Sequence, residues 1–273
     1  MITAFSIPKP FVDEIGPIQR NAVRSWAALD PDVQVILVGD EDGTAEAARE
    51  LGVEHLPEVL QSERGTPRLD DAFARIDASA RYQLRCFVNC DIVLLDDFLP
   101  AVRQAASFAP TFLMVGQSRN LVLSGDFDPA QGDALRIRAL HEGRSRGATA
   151  IDYFVFTAGL FDPVPPFVVG RARFDNWLVW RARQRGVVID ASAAVVAVHE
   201  QHDYAHVEGG LDEAHFGVEA ERNLELAGGK DRLFTIYDAS HRLSADGRVR
   251  RHLGAVGRTR ENARKIAWKL ASR

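Results

Sequence analysis

The apolar positions of this chain fall into two alternating rhythms. Short, nearly unbroken apolar runs at 2–6, 33–38, 53–56, 85–89, 111–115, 153–156, 187–189 and 194–198 have the length of buried strands. Between them lie stretches with apolar residues at helical spacing. The first covers 15–29, where Ile15, Ile18, Ala22, Val23 and Trp26 share one face, and others cover 44–51, 67–81, 97–108 and 175–185. Gly52 and Gly186 stop two of these helices, and Pro67 suits a first turn. Strands apolar at every position, alternating with helices, predict an α/β fold whose mostly parallel central sheet is covered on both faces. The regularity loosens after Gly116. Residues 117–150 read as polar loops with one helix around 129–140, 162–166 as a proline-rich connector, and 199–229 as a His-, Glu- and Gly-rich stretch of weak periodicity.

Length and composition narrow this picture. A chain of 273 residues can bury a full core in one large domain. The net charge of −5 argues against general nucleic-acid binding. No apolar stretch approaches the ~20 residues that cross a bilayer, and Met1 to Ser6 lacks the basic start and long apolar run of a signal peptide. The cysteines, Cys86 and Cys90, lie four apart on one predicted strand, too far to bridge and at no zinc spacing, so a reducing cytoplasm is expected. Charge is uneven: from Arg248 onward there are nine Lys or Arg and one acid, Glu261. The expected division is a domain over 1–240 and a basic helical tail over 241–273. Within the tail, 259–273 sets Ile266, Trp268 and Leu270 among basic residues. Such a helix either packs on the body or makes a peripheral contact with the inner face of the membrane or with a partner. Nothing in the pattern sets an oligomeric state.

Several chemistries are missing. There is no phosphate loop of the G-x-x-x-x-G-K-[ST] type and no G-x-G-x-x-G after the first strand. His199-Glu200-Gln201-His202 is one residue short of a zincin helix, and Gly116-Gln117-Ser118 lacks the closing glycine of a nucleophile elbow. Four segments do carry chemistry. Gly39-Asp40-Glu41-Asp42-Gly43-Thr44 closes a strand with carboxylates that can accept the imide N–H of a base, or cap the next helix through Asp42 or Thr44. Asn89-Cys90-Asp91 ends a buried strand where α/β sheets keep their ligands, and a carboxylate there can hold a divalent cation. Asp175 follows the loop Val168-Val169-Gly170-Arg171, at a helix start where it can take a proton from a hydroxyl or serve as a cap. His199, ahead of His202 and Tyr204, stands at a strand end suited to metal ligation, with Tyr204 placed to stack on a sugar.

The order of these segments resembles the GT-A glycosyltransferases, particularly the inverting family 2. There a strand ends in an Asp-Asp-Gly-Ser-x-Asp-Gly-Thr run, here Gly39 to Thr44. An Asp-x-Asp metal motif corresponds to Asn89-Cys90-Asp91, and a Glu-Asp pair preceding Leu and Arg corresponds to Phe174-Asp175 with Leu178 and Arg181. The strand-end histidine corresponds to His199. The strings Ser6-Ile7-Pro8-Lys9-Pro10-Phe11, Gly65-Thr66-Pro67, Asp152-Tyr153-Phe154-Val155-Phe156 and His202-Asp203-Tyr204 are similar to those of nucleotide-diphospho-sugar transferases of bacteria and plants. The likeness covers about 2–240 and departs at Asn89 and Phe174, which stand where the pattern has acids.

The resemblance implies a GT-A fold that moves a sugar from a nucleotide-diphosphate sugar to a hydroxyl of a carbohydrate or lipid-linked acceptor, with inversion, in surface polysaccharide or glycoconjugate synthesis. It implies a donor site from Ser6, Ile7, Pro8, Asp40, Gly65, Thr66, Asn89 and Cys90, with Arg171 or Arg173 on the phosphates. Mn²⁺ or Mg²⁺ would sit on Asp91 and His199, and Asp175 would be the base, ahead of Asp152. Tyr153, Trp177, His202 and Tyr204 would contact sugar or acceptor. The rival readings are a nucleotidyltransferase or nucleotide-sugar hydrolase on a similar sheet, or a non-catalytic carbohydrate-binding protein.

Overall fold

A computed structural model describes residues 1–123, 125–200 and 210–252. The chain opens with β1 (Ile2–Ser6), α1 (Ile15–Ala28), β2 (Gln34–Val38), α2 (Thr44–Leu51), β3 (Glu54–Leu56), α3 (Leu69–Ser79), β4 (Leu84–Val88) and β5 (Ile92–Val93). It continues through α4 (Phe98–Phe108), β6 (Phe112–Val115), β7 (Ser118–Leu121), α5 (Gly132–His141), β8 (Arg144–Ser145) and β9 (Tyr153–Thr157). The remaining elements are α6 (Phe174–Arg185), β10 (Val187–Asp190), β11 (Ala197–Glu200), α7 (Gly210–Phe216), α8 (Val218–Ala227), β12 (His241–Leu243) and β13 (Val249–Arg251).

Nine strands form the central sheet in the order β13-β12-β10-β6-β9-β4-β1-β2-β3. It is parallel except at β9, which runs antiparallel to both β4 and β6, and at the edge strand β13. The mostly apolar runs of β1, β2, β4, β6 and β9 follow from burial on both faces. On one face Leu37, Cys86, Met114, Tyr153 and Val155 meet Val23 and Trp26 of α1, Ala47 of α2, and Phe98 and Val102 of α4. On the other, Phe5, Ile36, Phe87, Phe154 and Phe156 meet Phe73 and Ile76 of α3 and Trp177 and Leu178 of α6. Aromatic rings dominate this second layer. Phe5 lies edge-on to Phe73 at 5.3 Å between centroids and Phe73 stacks on Phe156 at 5.5 Å, geometries worth roughly 0.5–1.5 kcal/mol per pair beyond burial.

Three features differ from the sequence expectation. First, 199–229 is not irregular throughout: α7 and α8 occupy its described part, and α8 buries only Glu219, Ala220, Asn223 and Ala227, too small and polar a stripe to stand out. Second, the sheet continues past residue 240, because β12 pairs with β10 and β13 returns on β12. The start of the expected helical tail is therefore a hairpin on the sheet edge, and the stretch 259–273 lies outside the described residues. Third, a small second sheet, β5-β11-β7-β8, stands beside the carboxyl ends of the main strands. Its two-residue strands are too short to show a period. Helix α1 pins it: the Trp26 indole donates to the Ile92 carbonyl at 2.8 Å, and the Ser25 hydroxyl accepts from the Leu94 N–H at 3.0 Å. Among the described residues no helix is long and apolar enough to cross a membrane.

Candidate active site

A cavity of about 630 Å³ opens at the carboxyl ends of β1 and β4. The chain leaves β1 through Ile7, Pro8 and Lys9 and leaves β4 through Asn89, Cys90 and Asp91, so two parallel neighbours deliver both segments to one wall. Because β9 runs the other way, it begins where β4 ends, and Asp152 joins the same wall; the Asn89 N–H donates to the Asp152 carbonyl at 2.9 Å. The small sheet supplies the next group. Its register sets His199 opposite Ile92, and the Glu200 N–H donates to the Asp91 carbonyl at 3.0 Å. The His199 imidazole Nε2 thereby comes within 3.8 Å of the Asp91 carboxylate, and Lys9 Nζ stands 3.5 Å from the same oxygen.

The two remaining carboxylates differ in environment. Asp152 is a saturated acceptor. It takes hydrogen bonds from the Asn89 amide at 3.2 Å, from the Ser118 hydroxyl, and from Arg146 Nη1 at 3.2 Å. Its charge holds the 146–152 loop to the wall, and both of its oxygens are engaged by these donors. Asp175 lies in the first turn of α6, with Oδ1 buried and without a hydrogen-bond partner. Burial pushes its carboxyl up to about 6, and the Asp152 charge pushes the same way. The open backbone N–H groups of Asn176, Asp175 and Arg173 pull back only part of that rise. A carboxylate of that basicity suits proton abstraction near neutrality. Just ahead of it, Arg173 holds φ at +94°, a conformation that ordinary side chains avoid, and its guanidinium donates to the His215 carbonyl at 3.2 Å.

The opposite rim is organised by Glu219 of α8. This buried carboxylate accepts from the Ser62 hydroxyl at 2.6 Å and the Thr66 hydroxyl at 2.7 Å, and pairs with Arg171 at 3.2 Å. Gly65, Thr66 and Arg171 line the cavity as one tied unit. Ala214, His215 and the exposed Phe216 of α7 complete the mouth.

No protein-family model matches the sequence, and no curated protein matches it either. Solved structures do match in shape. TarS residues 1–349 from S. aureus, in complex with UDP-GlcNAc, superposes with a TM-score of 0.51 at 15% identity over 76% of this chain and 60% of that one. Glucosyl-3-phosphoglycerate synthase from Mycobacterium tuberculosis, with Mg²⁺ and UDP, gives 0.51 at 18% identity over 85% and 80%. The same enzyme with phosphoglyceric acid gives 0.52 at 16% over 85% and 81%. The chain thus spans under two thirds of the TarS length. This is the GT-A fold. At such identities the likeness establishes architecture, and the chemistry rests on the residues.

On this GT-A scaffold most of the expected site residues converge. Ser6, Ile7, Pro8, Gly65, Thr66, Asn89, Cys90, Asp91, Asp152, Arg171, Arg173, Asp175 and His199 all reach the cavity. Three do not. Asp40 is exposed outside the lining, and Glu41 takes its place there, its carboxyl raised by burial and by Asp42 and Asp40. Tyr153 is fully buried on the α4 side, edge-on to Phe98, because strand alternation sends it away from the end that Asp152 occupies. Trp177 packs under α6 against Phe167. Neither ring is a sugar platform. The proposed cap of α2 also differs: Gly43, at φ +79°, begins that helix without a side-chain cap. His202 and Tyr204 lie outside the described residues. The lining also includes residues outside the expected set, among them Lys9, Gln19, Arg146 and Phe216. Lys9 lies within the string Ser6 to Phe11; Gln19, Arg146 and Phe216 carry no sequence signal.

Proposed function

We propose that this chain is a glycosyltransferase that takes a sugar from a nucleotide-diphosphate donor and passes it, with inversion, to a hydroxyl of a carbohydrate or lipid-linked acceptor. The observation that carries this reading is the pairing of Asp91 with His199 on one cavity wall while Asp175, a carboxylate of raised basicity, stands on the same cavity. The donor's base and ribose lie against Ser6, Ile7 and Glu41, and its diphosphate faces Asp91. Asp91 and His199 fit a divalent ion, offering one carboxylate oxygen and one imidazole nitrogen and leaving the other positions to diphosphate oxygens and water. Mn²⁺ suits the mixed nitrogen and oxygen set better than Mg²⁺. Such an ion, when bound, neutralises charge on the departing nucleoside diphosphate.

Asp175 accepts the acceptor's hydroxyl proton, and Asp152 keeps the Arg146 loop closed behind it. Phe216, exposed at the mouth, offers an apolar face to the acceptor. UDP occurs with the neighbouring M. tuberculosis enzyme and UDP-GlcNAc with TarS, which makes uridine the first base to try. A role in polysaccharide or glycoconjugate synthesis inside the cell follows from the same reading. The test is a panel of UDP- and GDP-sugars with Mn²⁺, read by thermal shift and by release of nucleoside diphosphate with and without carbohydrate acceptors. Stabilisation by nucleoside diphosphate together with acceptor-dependent release supports transfer. Sugar release without acceptor would make the protein a hydrolase, and the absence of any nucleotide effect would remove the enzymatic reading.

A further inference from the structure

Resting on the reading of Asp175 as the base, we infer that Asn223 of α8 is a positioning residue for it: the Asn223 amide fixes the main chain that leads into α6 and so holds Asp175 at the cavity. Asn223 is fully buried and does not itself line the cavity. Its Oδ1 accepts the Val168 N–H at 3.0 Å. Its Nδ2 donates to the Val168 carbonyl at 3.0 Å and to the Ala172 carbonyl at 3.3 Å, with the Arg171 carbonyl at 3.5 Å. A side-chain amide has two donor hydrogens and one carbonyl oxygen, and here they all serve this one stretch of chain. A single side chain thus ties together both ends of the bow 168–172, whose tip is Gly170 at φ +71°. Glu219, one turn earlier on α8, pairs with Arg171 of the same bow at 3.2 Å.

The residue that follows the bow is strained. Arg173, at φ +94°, holds a conformation that persists only where its surroundings fix it. Asn223 fixes the carbonyl just before it, the Ala214 carbonyl accepts the Ala172 N–H at 2.9 Å, and the His215 carbonyl accepts from the Arg173 guanidinium. On the other side, the Asn176 carbonyl accepts the Phe234 N–H at 3.0 Å and its Nδ2 donates to the Phe234 carbonyl at 2.9 Å. Asp175 lies between these two clamps.

Helix α6 has no side-chain cap to set where it starts. The Asp175 carboxylate bonds to backbone N–H groups of its own turn, those of Asn176, Asp175 and Arg173. Its place therefore follows the main chain, and the main chain follows Asn223. Releasing the bow would swing the carboxylate and let water reach a group whose burial raises its basicity. A displacement of about 1 Å at a reacting group can cost about a hundredfold in rate.

Melting curves of the full chain carrying Asn223→Ala, Asp175→Asn and both test this at about pH 7.5, together with UDP calorimetry in Mn²⁺ and transfer between the UDP-sugar and acceptor that the panel above identifies. The gain of about 3–4 °C expected from Asp175→Asn should shrink by about half or more beside Asn223→Ala, because the ionised carboxylate is then hydrated. Asn223→Ala should also lose about tenfold or more in kcat per UDP-binding site while UDP affinity is kept. Counting sites by calorimetry removes unfolded protein from that kcat. Asn223→Ser takes the place of Asn223→Ala if the latter does not fold. Additive melting shifts, an unchanged kcat, or UDP affinity lost in step with kcat overturns the role of Asn223 and leaves Asp175 standing as the base. Native protein that transfers no sugar removes the base role of Asp175 and with it the catalytic side of the inference, while the melting cycle still decides whether Asn223 holds that carboxylate.

Discussion

Replacing Asp175 by Asn should make the protein more stable and less active at once. The carboxyl moves from an ordinary 3.8 to about 6 on folding, chiefly through burial. Every tenfold change in its proton affinity is about 1.4 kcal/mol of preference for the neutral form. The ionised group therefore costs the native state up to about 3 kcal/mol, or about 2 kcal/mol once water in the cavity is allowed to screen it. Between the two values the folded protein holds the proton that the unfolded chain releases, so native stability falls as pH rises from 3.8 to about 6. Below that window the cost is absent, and above it the cost is complete. Asn is neutral throughout. The variant's gain should be nil near pH 4, grow to about pH 6.5 and then level off, raising Tm by about 3–4 °C at pH 7.5. Differential scanning calorimetry of both proteins from pH 4 to 8 measures this. Transfer, assayed alongside, should collapse in the variant while UDP binding persists, and native transfer should fall as pH drops through about 6. Parallel melting curves at every pH would show that the carboxylate is not destabilised in the fold, and full transfer by the variant would move the base elsewhere.

Other substitutions probe the rest of the site. Asp91→Ala should abolish the gain in UDP affinity that Mn²⁺ brings; calorimetry with an intact Mn²⁺ effect would refute the metal assignment. Glu219→Gln breaks a buried pair and loosens three contacts, and should cost about 2–3 kcal/mol by urea melting, below the usual toll because Arg171 faces the cavity; an unchanged midpoint would show that the rim does not depend on it. Tyr153→Phe removes a buried hydroxyl that has no hydrogen-bond partner and should stabilise by about 1 kcal/mol. A methyl on Gly116 would lie 2.0 Å from that same hydroxyl, so Gly116→Ala should cost about 2 kcal/mol alone and clearly less beside Tyr153→Phe. Additive melting shifts would deny the contact.

The central strands were legible because burial on both faces makes their runs mostly apolar, as in Val35–Val38 and Tyr153–Phe156. Asp91 and Asp175 were legible because a carboxylate after a buried strand or at a helix start is a local pattern. What joins them was not. His199 meets Asp91 through strands of two and four residues, whose pairing is set by the packing of Trp26 and Ser25. Asp152 and Tyr153 are adjacent in sequence and face opposite destinations, a matter of strand phase that aromatic content does not reveal. Lys9 belongs to no periodic pattern, and its backbone is held by Gln19, ten positions later and on a helix. Glu219 sits on a helix whose buried face is polar, where a hydrophobic pattern has nothing to detect.

The reversed strand β9 has a consequence for the order of assembly. Strands β4 and β6 are neighbours only through it, yet both precede it in the chain. During synthesis β4 keeps an open edge and β6 has no partner in this sheet until residues 153–157 emerge, because β10 follows later still. A nascent or truncated chain ending before Tyr153 would leave one edge of β4 and both edges of β6 unpaired, each a template for pairing with another copy. The long-range closure also predicts slow folding for the chain's size, since the central pairings cannot form from local contacts. The arrangement that brings Asp152 to the cavity wall thus also leaves unpaired strand edges until late in synthesis.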